Sequence, residues 1–350
     1  MTTLQPPSMP ARDRQQLAVW LLICCSLIFA MVVLGGVTRL SGSGLSMVEW
    51  EPVSGVIPPL TESAWEAEFA RYQQSPEYRK VNLGMTLEGF KVIFWFEYAH
   101  RLLGRTIGVV FLLPLLYFWL WRKIERSLIL KLIFLFVLGG LQGLLGWYMV
   151  KSGLVDNPHV SQYRLTAHLA FAAVIYGYLL WVALSLFSLA PPAAVRADTG
   201  MLRRFALFVT GLIFVTMLSG GLVAGLKAGF AYNTFPRMAG EWVPSGILGQ
   251  EPLHRNFFEN AATVQFDHRV LALMALLAVL ALWAVAQRSD LPSKTRLGSH
   301  VVLAVAVMQV GLGISTLLWR VPIALAAAHQ AGALLLFTAA LFLNDTLRRR

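Results

Sequence analysis

Long apolar runs broken by short polar stretches set the pattern of this chain. Eight runs, at roughly 17–37, 90–120, 129–150, 163–188, 204–226, 262–286, 299–319 and 322–345, reach the ~20 residues a helix needs to cross a bilayer. They are continuous rather than alternating, which predicts helices and excludes a barrel of lipid-facing strands. The expected fold is an all-α polytopic membrane protein with eight transmembrane helices. A polar, Pro-containing leader, residues 1–16, precedes the first run. It is too short and too poor in Arg and Ser for a transit peptide. The run behind it has no small-residue cleavage site, so it reads as a span.

The runs fall into two matching sets. Residues 30–188 and 215–343 carry the same signals in the same order: Gly35-Gly36 and Gly220-Gly221, "SGVIPP" and "SGILGQ", "EYAHR" (97–101) and "QFDHR" (265–269), "QGLLG" (142–146) and "QVGLG" (309–313), "TAHLA" (166–170) and "AAHQA" (327–331). Two tandem four-helix units related by pseudo-two-fold symmetry follow. Their expected bounds are a cytoplasmic leader 1–16, an N-terminal half 17–188 with an outer loop 38–89, a linker 189–203, a C-terminal half 204–345 and a basic tail 346–350. The first half has the longer outer segment, 64 residues from Gly36 to His100 against 47 from Gly221 to His268. Within it Trp65, Phe69 and Tyr72 recur at helical spacing, predicting a short interfacial helix in 61–80 that acts as a lid or lies on the surface.

Composition and charge sharpen the class. The chain is 57% hydrophobic and only 13% charged, where a soluble domain carries about 25% charged residues. The net charge of +11 is concentrated on one side. Arg12, Arg14, Arg122, Lys123, Arg126 and Lys131 lie on the face that holds the N-terminus, and the opposite face is nearly balanced. The positive-inside rule then places both termini in the cytoplasm, and no nucleic-acid partner is needed to explain the charge. The two cysteines, Cys24 and Cys25, are adjacent inside the first span and read as packing residues.

Charged and polar groups at membrane depth cost several kcal/mol, so they pair or work. Four of the seven histidines, His100, His168, His268 and His329, lie inside spans two, four, six and eight. Each is about 6 to 10 residues in from the outer face, or roughly 10–15 Å deep. The repeat pairs His100 with His168 and His268 with His329. Facing imidazoles suit a six-coordinate haem iron between helices. Small residues one turn on, Gly104 and Ala272, leave room for a flat ring. Zinc or copper is the weaker alternative, since the histidines lack the Cys or carboxylate neighbours of a compact site, except where Glu97 and Asp267 approach. Arg101 and Arg269 each follow a histidine and suit haem propionates, although Glu97 and Arg101 are also an i, i+4 pair. Arg105 has no counterpart, because Leu273 stands there, and its role stays open. Glu97 lies one turn from His100 and is replaced by Gln265 in the second half. A carboxylate beside a ligand in a dry site suits proton transfer. The first half therefore reads as a reaction site and the second as an electron-transfer site.

These motifs resemble those of the haem A synthase family of bacterial and mitochondrial cytochrome oxidase assembly. The residues that carry the likeness are "GGVTRLSGSGLSMVEW" (35–50), "FEYAHRLLGR" (96–105), "LQGLLGWYMV" (141–150), "TAHLA" (166–170), "NTFP" (233–236), "FDHRVLA" (266–272) and "AHQ" (328–330). The resemblance implies an oxidoreductase that turns the C8 methyl of haem O into a formyl group through hydroxylated intermediates, with haem b as cofactor. It implies that His100 and His168 bracket the substrate haem with Glu97 beside them, and that His268 and His329 ligate haem b. Some relatives carry cysteine pairs in the outer loops and this chain has none, so a thiol step does not operate here. The branch without them, and the short leader, imply a bacterial inner membrane. Pathway logic adds contact with haem O synthase; the electron donor or acceptor and a homo-oligomer stay open. The rival functions are a di-haem b-type cytochrome for quinol electron transfer and a proton-coupled transporter. The first usually places two histidines on one helix, which no span here does.

Overall fold

Apolar continuity becomes helix throughout a computed structural model that describes residues 9–49, 54–155, 158–187 and 200–348. The eight long helices are α1 Ala11–Leu40, α4 Leu87–Leu120, α5 Arg126–Gly153, α6 Gln162–Leu186, α7 Gly200–Gly225, α9 Ala261–Arg288, α10 Ser293–Leu318 and α11 Ile323–Arg348. All eight are long and apolar enough to cross a membrane. The short helices α2 Glu62–Gln73 and α3 Pro76–Lys80 fill the first outer loop, and α8 Asn256–Glu259 precedes α9. Among the described residues there is no strand, only an isolated bridge between Met238 and Glu241. Helix α1 starts inside the expected leader, α7 starts at Gly200 inside the expected linker, and α11 runs into the expected tail. Residues 1–8, 188–199 and 349–350, which make up half of the leader, most of the linker and the tail end, lie outside the described residues.

Local chemistry sets the ends that matter for function. Helix α1 stops in a Schellman turn: Ser43 N–H bonds Thr38 O, Gly42 N–H bonds Arg39 O, and Gly42 takes φ +68°, the left-handed turn that glycine adopts without a Cβ clash. The chain is thereby turned over the top of α4. Thr86 caps α4 by accepting from Gly89 N–H at 3.2 Å, and Asn260 caps α9 by accepting from Ala262 N–H at 2.9 Å, as short polar side chains do. Pro114 inside α4 cannot donate to the carbonyl of Val110. That freed oxygen takes the indole N–H of Trp20 at 2.8 Å, so the break in one helix becomes a tether to another.

Helices α1, α6, α7 and α11 pack on one another at the centre, with α4 and α5 flanking on one side and α9 and α10 on the other. In the most apolar windows of α1, α6 and α11, 39% of residues are buried, against 17% in α4, α5 and α10, which identifies the outer four as mainly lipid-facing. The main core runs through Leu17, Leu21, Cys24, Leu132, Leu179, Val209 and Leu334. It occupies the half of the bundle nearest the start of α1, and both cysteines are free and buried in it, in line with a packing role. The opposite half holds the histidines. The two sets of helices are joined by polar contacts: Gln330 Nε2 donates to Val32 O at 2.6 Å, Arg39 Nη2 to Ala224 O at 3.0 Å, and Tyr176 and Thr338 share a hydroxyl bond of 2.8 Å.

Candidate functional site

Each of the four intramembrane histidines leans on a glycine of a neighbouring helix. A Cβ added at Gly35 would stand 3.0 Å from His100 Nε2, at Gly146 3.0 Å from His168 Cε1, at Gly220 3.2 Å from His268 Cε1, and at Gly313 2.8 Å from His329 Cε1. The wedge residues are therefore on α1, α5, α7 and α10. Gly104, expected to make room beside His100, instead faces Met31, 3.4 Å from an added Cβ. His168, His268 and His329 lie six, seven and six residues after their helix starts, about 10 Å along the axis. His100 is thirteen residues into α4, about 20 Å, because α4 projects beyond the others to carry the outer loop.

The second pair is set for a shared ligand. The His268 and His329 rings lie 6.4 Å apart between centroids, at 89°. Two imidazoles bonded to one metal through nitrogens about 2 Å from it have centroids roughly 6 Å apart, so the spacing fits an iron between them. Polar partners contact one nitrogen of each ring except that of His100. Ser219 Oγ lies 2.7 Å from His268 Nδ1. Gln309 Nε2 lies 3.1 Å from His329 Nδ1 and donates to the His329 carbonyl at 2.9 Å. In the first pair Gln142 Nε2 lies 3.3 Å from His168 Nε2 and donates to the His168 carbonyl at 3.0 Å. Gln142 and Gln309 are partners in the repeat, and each stands four residues before a wedge glycine on the same helix face, the one sign in the sequence of their contact with the rings. Among the described residues no group of three or more His, Cys, Asp or Glu side chains is placed to hold a metal ion.

Glu97 is almost fully buried, 3% exposed, and accepts four hydrogen bonds. Ser46 Oγ (2.7 Å) and Met47 N–H (2.9 Å) donate to Oε2; Arg101 Nε (3.1 Å) and Nη2 (2.7 Å) donate to Oε1. Arg101 also donates to the carbonyls of Met47 (2.8 Å) and Glu49 (3.0 Å). The pair thus clamps the loop that follows α1. The second half does the same with opposite polarity: Gln265 Nε2 donates to Tyr232 O at 3.1 Å, and Arg269 to Tyr232 O at 3.2 Å and Pro236 O at 3.4 Å. Where the loop offers N–H and O–H groups the helix supplies an acceptor; where it offers carbonyls the helix supplies an amide. That chemistry accounts for part of the Glu/Gln difference. Most of Arg101's donors are engaged, whereas the Nε of Arg269 is buried without a partner, an orphan that suits a carboxylate. Arg105 lies one turn beyond Arg101 on α4, half-buried.

The outer helix α2 folds onto α4 rather than lying on its own. Trp65 and Tyr72 pack with Phe90, Phe94 and Tyr98, Trp65 edge-on to Phe94 at 4.9 Å, and Tyr98 O–H ties back to Val56 O at 2.7 Å. Beneath it, Asn82 Nδ2 donates to Tyr72 Oη at 2.8 Å and Tyr72 O–H donates to Glu77 at 3.1 Å. Burial pushes the Glu77 carboxyl up to about 7; the Tyr72 hydrogen bond opposes this and the nearby Glu97 charge adds to it. Burial also raises the Tyr72 phenol. The outer loop thus holds a buried carboxyl pushed towards neutrality.

Comparison with known proteins points to one family. The profile of a family described as cytochrome oxidase assembly protein matches residues 18–341. The chain is 52% identical to a haem A synthase of Nitrosospira multiformis, over the full length of both. It is 54% identical to one of Nitrosomonas eutropha, covering 95% of this chain and 93% of that one. It is 47% identical to the haem A synthase COX15 of Homo sapiens, covering 98% of this chain and 85% of that one.

Proposed function

The chain belongs to the haem A synthase family of cytochrome oxidase assembly proteins, and from that premise we propose that it oxidises the C8 methyl of haem O to a formyl group, giving haem A. The observation that carries the assignment to this chain's own residues is the unequal pair of sites. One histidine pair sits at ligand spacing beneath the shorter outer segment. The other sits beneath a packed lid with Glu97 one turn away. The recurrence of Gly–His and Gln–His contacts in both sets of helices supports two units related by pseudo-two-fold symmetry.

His268 and His329 would hold haem b, and the buried, unpartnered Arg269 Nε would be free to meet a carboxylate of it. Bound there, that haem supplies one-electron redox chemistry. His100 and His168 bracket the substrate haem O from opposite sides, and Gly35 and Gly146 set how closely each ring can lie against its neighbouring helix. The apolar outer faces of α4 and α5 suit the farnesyl tail, which implies lateral access from lipid. Turning a methyl into a formyl group puts one oxygen on the carbon and removes four electrons (R–CH3 + H2O → R–CHO + 4 H+ + 4 e−), so with water as the oxygen donor the protons must find a base and the electrons pass to an electron acceptor. Glu97 Oε2 takes the proton; Ser46 Oγ, 2.7 Å away, is its first relay, and Arg101 holds the carboxylate in place. The aromatic packing of Trp65 with Phe94 and Tyr98 excludes water above the site. The reading places the chain in a bacterial inner membrane with both termini cytoplasmic and the histidines towards the outer face. An electron acceptor and haem O synthase are its expected partners. The test is to supply membranes carrying this chain with haem O and resolve the extracted haems by chromatography. Haem A is expected; haem O recovered unchanged from protein that holds haem b would refute the activity.

A further inference from the structure

Of the four histidines, His268 has a neighbour that fixes its ring chemistry, and His100 has none. Ser219 Oγ lies 2.7 Å from the carbonyl of Thr216 and 2.7 Å from His268 Nδ1. A carbonyl only accepts, so the single hydroxyl proton goes to Thr216 O. The oxygen must then accept from the ring, which puts the proton of His268 on Nδ1 and leaves the lone pair on Nε2. At the matching place in the first half, immediately before the Gly-Gly pair, stands Leu34. Leucine offers no acceptor. Among the described residues neither ring nitrogen of His100 has a hydrogen-bond partner, and its Nε2 faces Gly35, 3.0 Å from an added Cβ.

We propose that Ser219 is a positioning residue that locks His268 as a permanent ligand, and that Leu34 leaves His100 unlocked so that the haem bound there can be exchanged. An enzyme whose substrate and product are both haems needs that difference, because two equally firm histidine pairs would retain product as tightly as cofactor. The locked ring is oriented and made more basic by its acceptor, an effect that second partners of metal-bound imidazoles exert at ten- to a hundred-fold in affinity. The inference rests on the assignment of haem b to His268 and His329.

The experiment uses the full chain, purified in detergent, with haem transfer to apomyoglobin and the midpoint potential of the bound haem as readouts. Ser219→Ala is expected to speed loss of the resident haem roughly ten- to a hundred-fold and to raise its potential, since a less basic imidazole stabilises ferric iron less. Leu34→Ser is expected to slow release of haem from the first site while leaving the resident haem's potential unchanged. If Ser219→Ala matches wild type in both transfer rate and potential, the positioning role is overturned. His268→Ala separates the two levels: loss of the bound haem in that variant upholds the underlying assignment, and retention overturns it together with the inference.

Discussion

Replacing Gly313 by alanine should empty the second haem site with the smallest possible change. The new Cβ would lie 2.8 Å from His329 Cε1, 3.4 Å from Nδ1 and 3.5 Å from Nε2. Carbon pairs are comfortable at about 3.5–4.0 Å, so the ring or the helix must yield by roughly 0.7 Å. Metal–ligand distances tolerate only about 0.2 Å. If the ring turns, Nε2 leaves the line to His268; if α10 backs away from α11, the cost is that of overpacking, about 1–3 kcal/mol. Where that cost falls on binding, haem affinity drops by roughly five- to a hundred-and-fifty-fold. Gly311→Ala is the control on the same helix, since nothing lies within 4 Å of its added Cβ. The assay is haem B per polypeptide in purified protein, with the reduced-minus-oxidised spectrum. Gly313→Ala should lose most of its haem B and Gly311→Ala should keep it. A Gly313→Ala protein with full haem and an unshifted spectrum would refute the wedge argument.

Other expectations follow from the same contacts. Glu97→Gln keeps the shape of the clamp but cannot take a proton, so it should hold haem b and fail to form haem A; full haem A production by that variant would remove Glu97 from the chemistry. Glu77 binds its proton more tightly when folded than its ordinary range near 4. The folded lid is therefore favoured below that range and loses stability as pH rises from about 4 towards 7, by up to about 3 kcal/mol. Protection from hydrogen exchange across residues 72–85, corrected for the intrinsic pH dependence of exchange, should fall over that window and stay flat in Glu77→Gln; equal pH dependence in both would contradict it. Gly225→Ala puts a Cβ 2.5 Å from Gln162 Cα, a backbone clash that should prise α6 from α7 and lower the melting temperature clearly. An unchanged melting temperature would mean the two helices do not pack this closely.

Continuous apolar runs made the eight helices legible, because backbone groups in lipid must bond within their own segment. Trp65, Phe69 and Tyr72 announced α2 by spacing, and Trp65 and Tyr72 are indeed its buried side chains. The four histidines were legible through their matched order in the two sets of helices. Less legible was what surrounds them. Gly35, Gly146, Gly220 and Gly313 touch the imidazoles from other helices, and contact across helices is not written in any one run. The pull of Glu97 on Ser46 and Met47 depends on a loop turned back by Gly42, a path that spacing along the chain does not encode. Ser219 sat beside a quoted Gly-Gly pair, yet its meaning appears only with His268 at 2.7 Å.

The division of labour between the two histidine pairs is tested most directly by exchanging one ligand in each and resolving haems B, O and A extracted from the purified proteins. His268→Ala is expected to lose haem B and its spectrum. His100→Ala is expected to keep haem B in full and to form no haem A from supplied haem O. The opposite outcome, haem B lost from His100→Ala and retained by His268→Ala, would contradict the account.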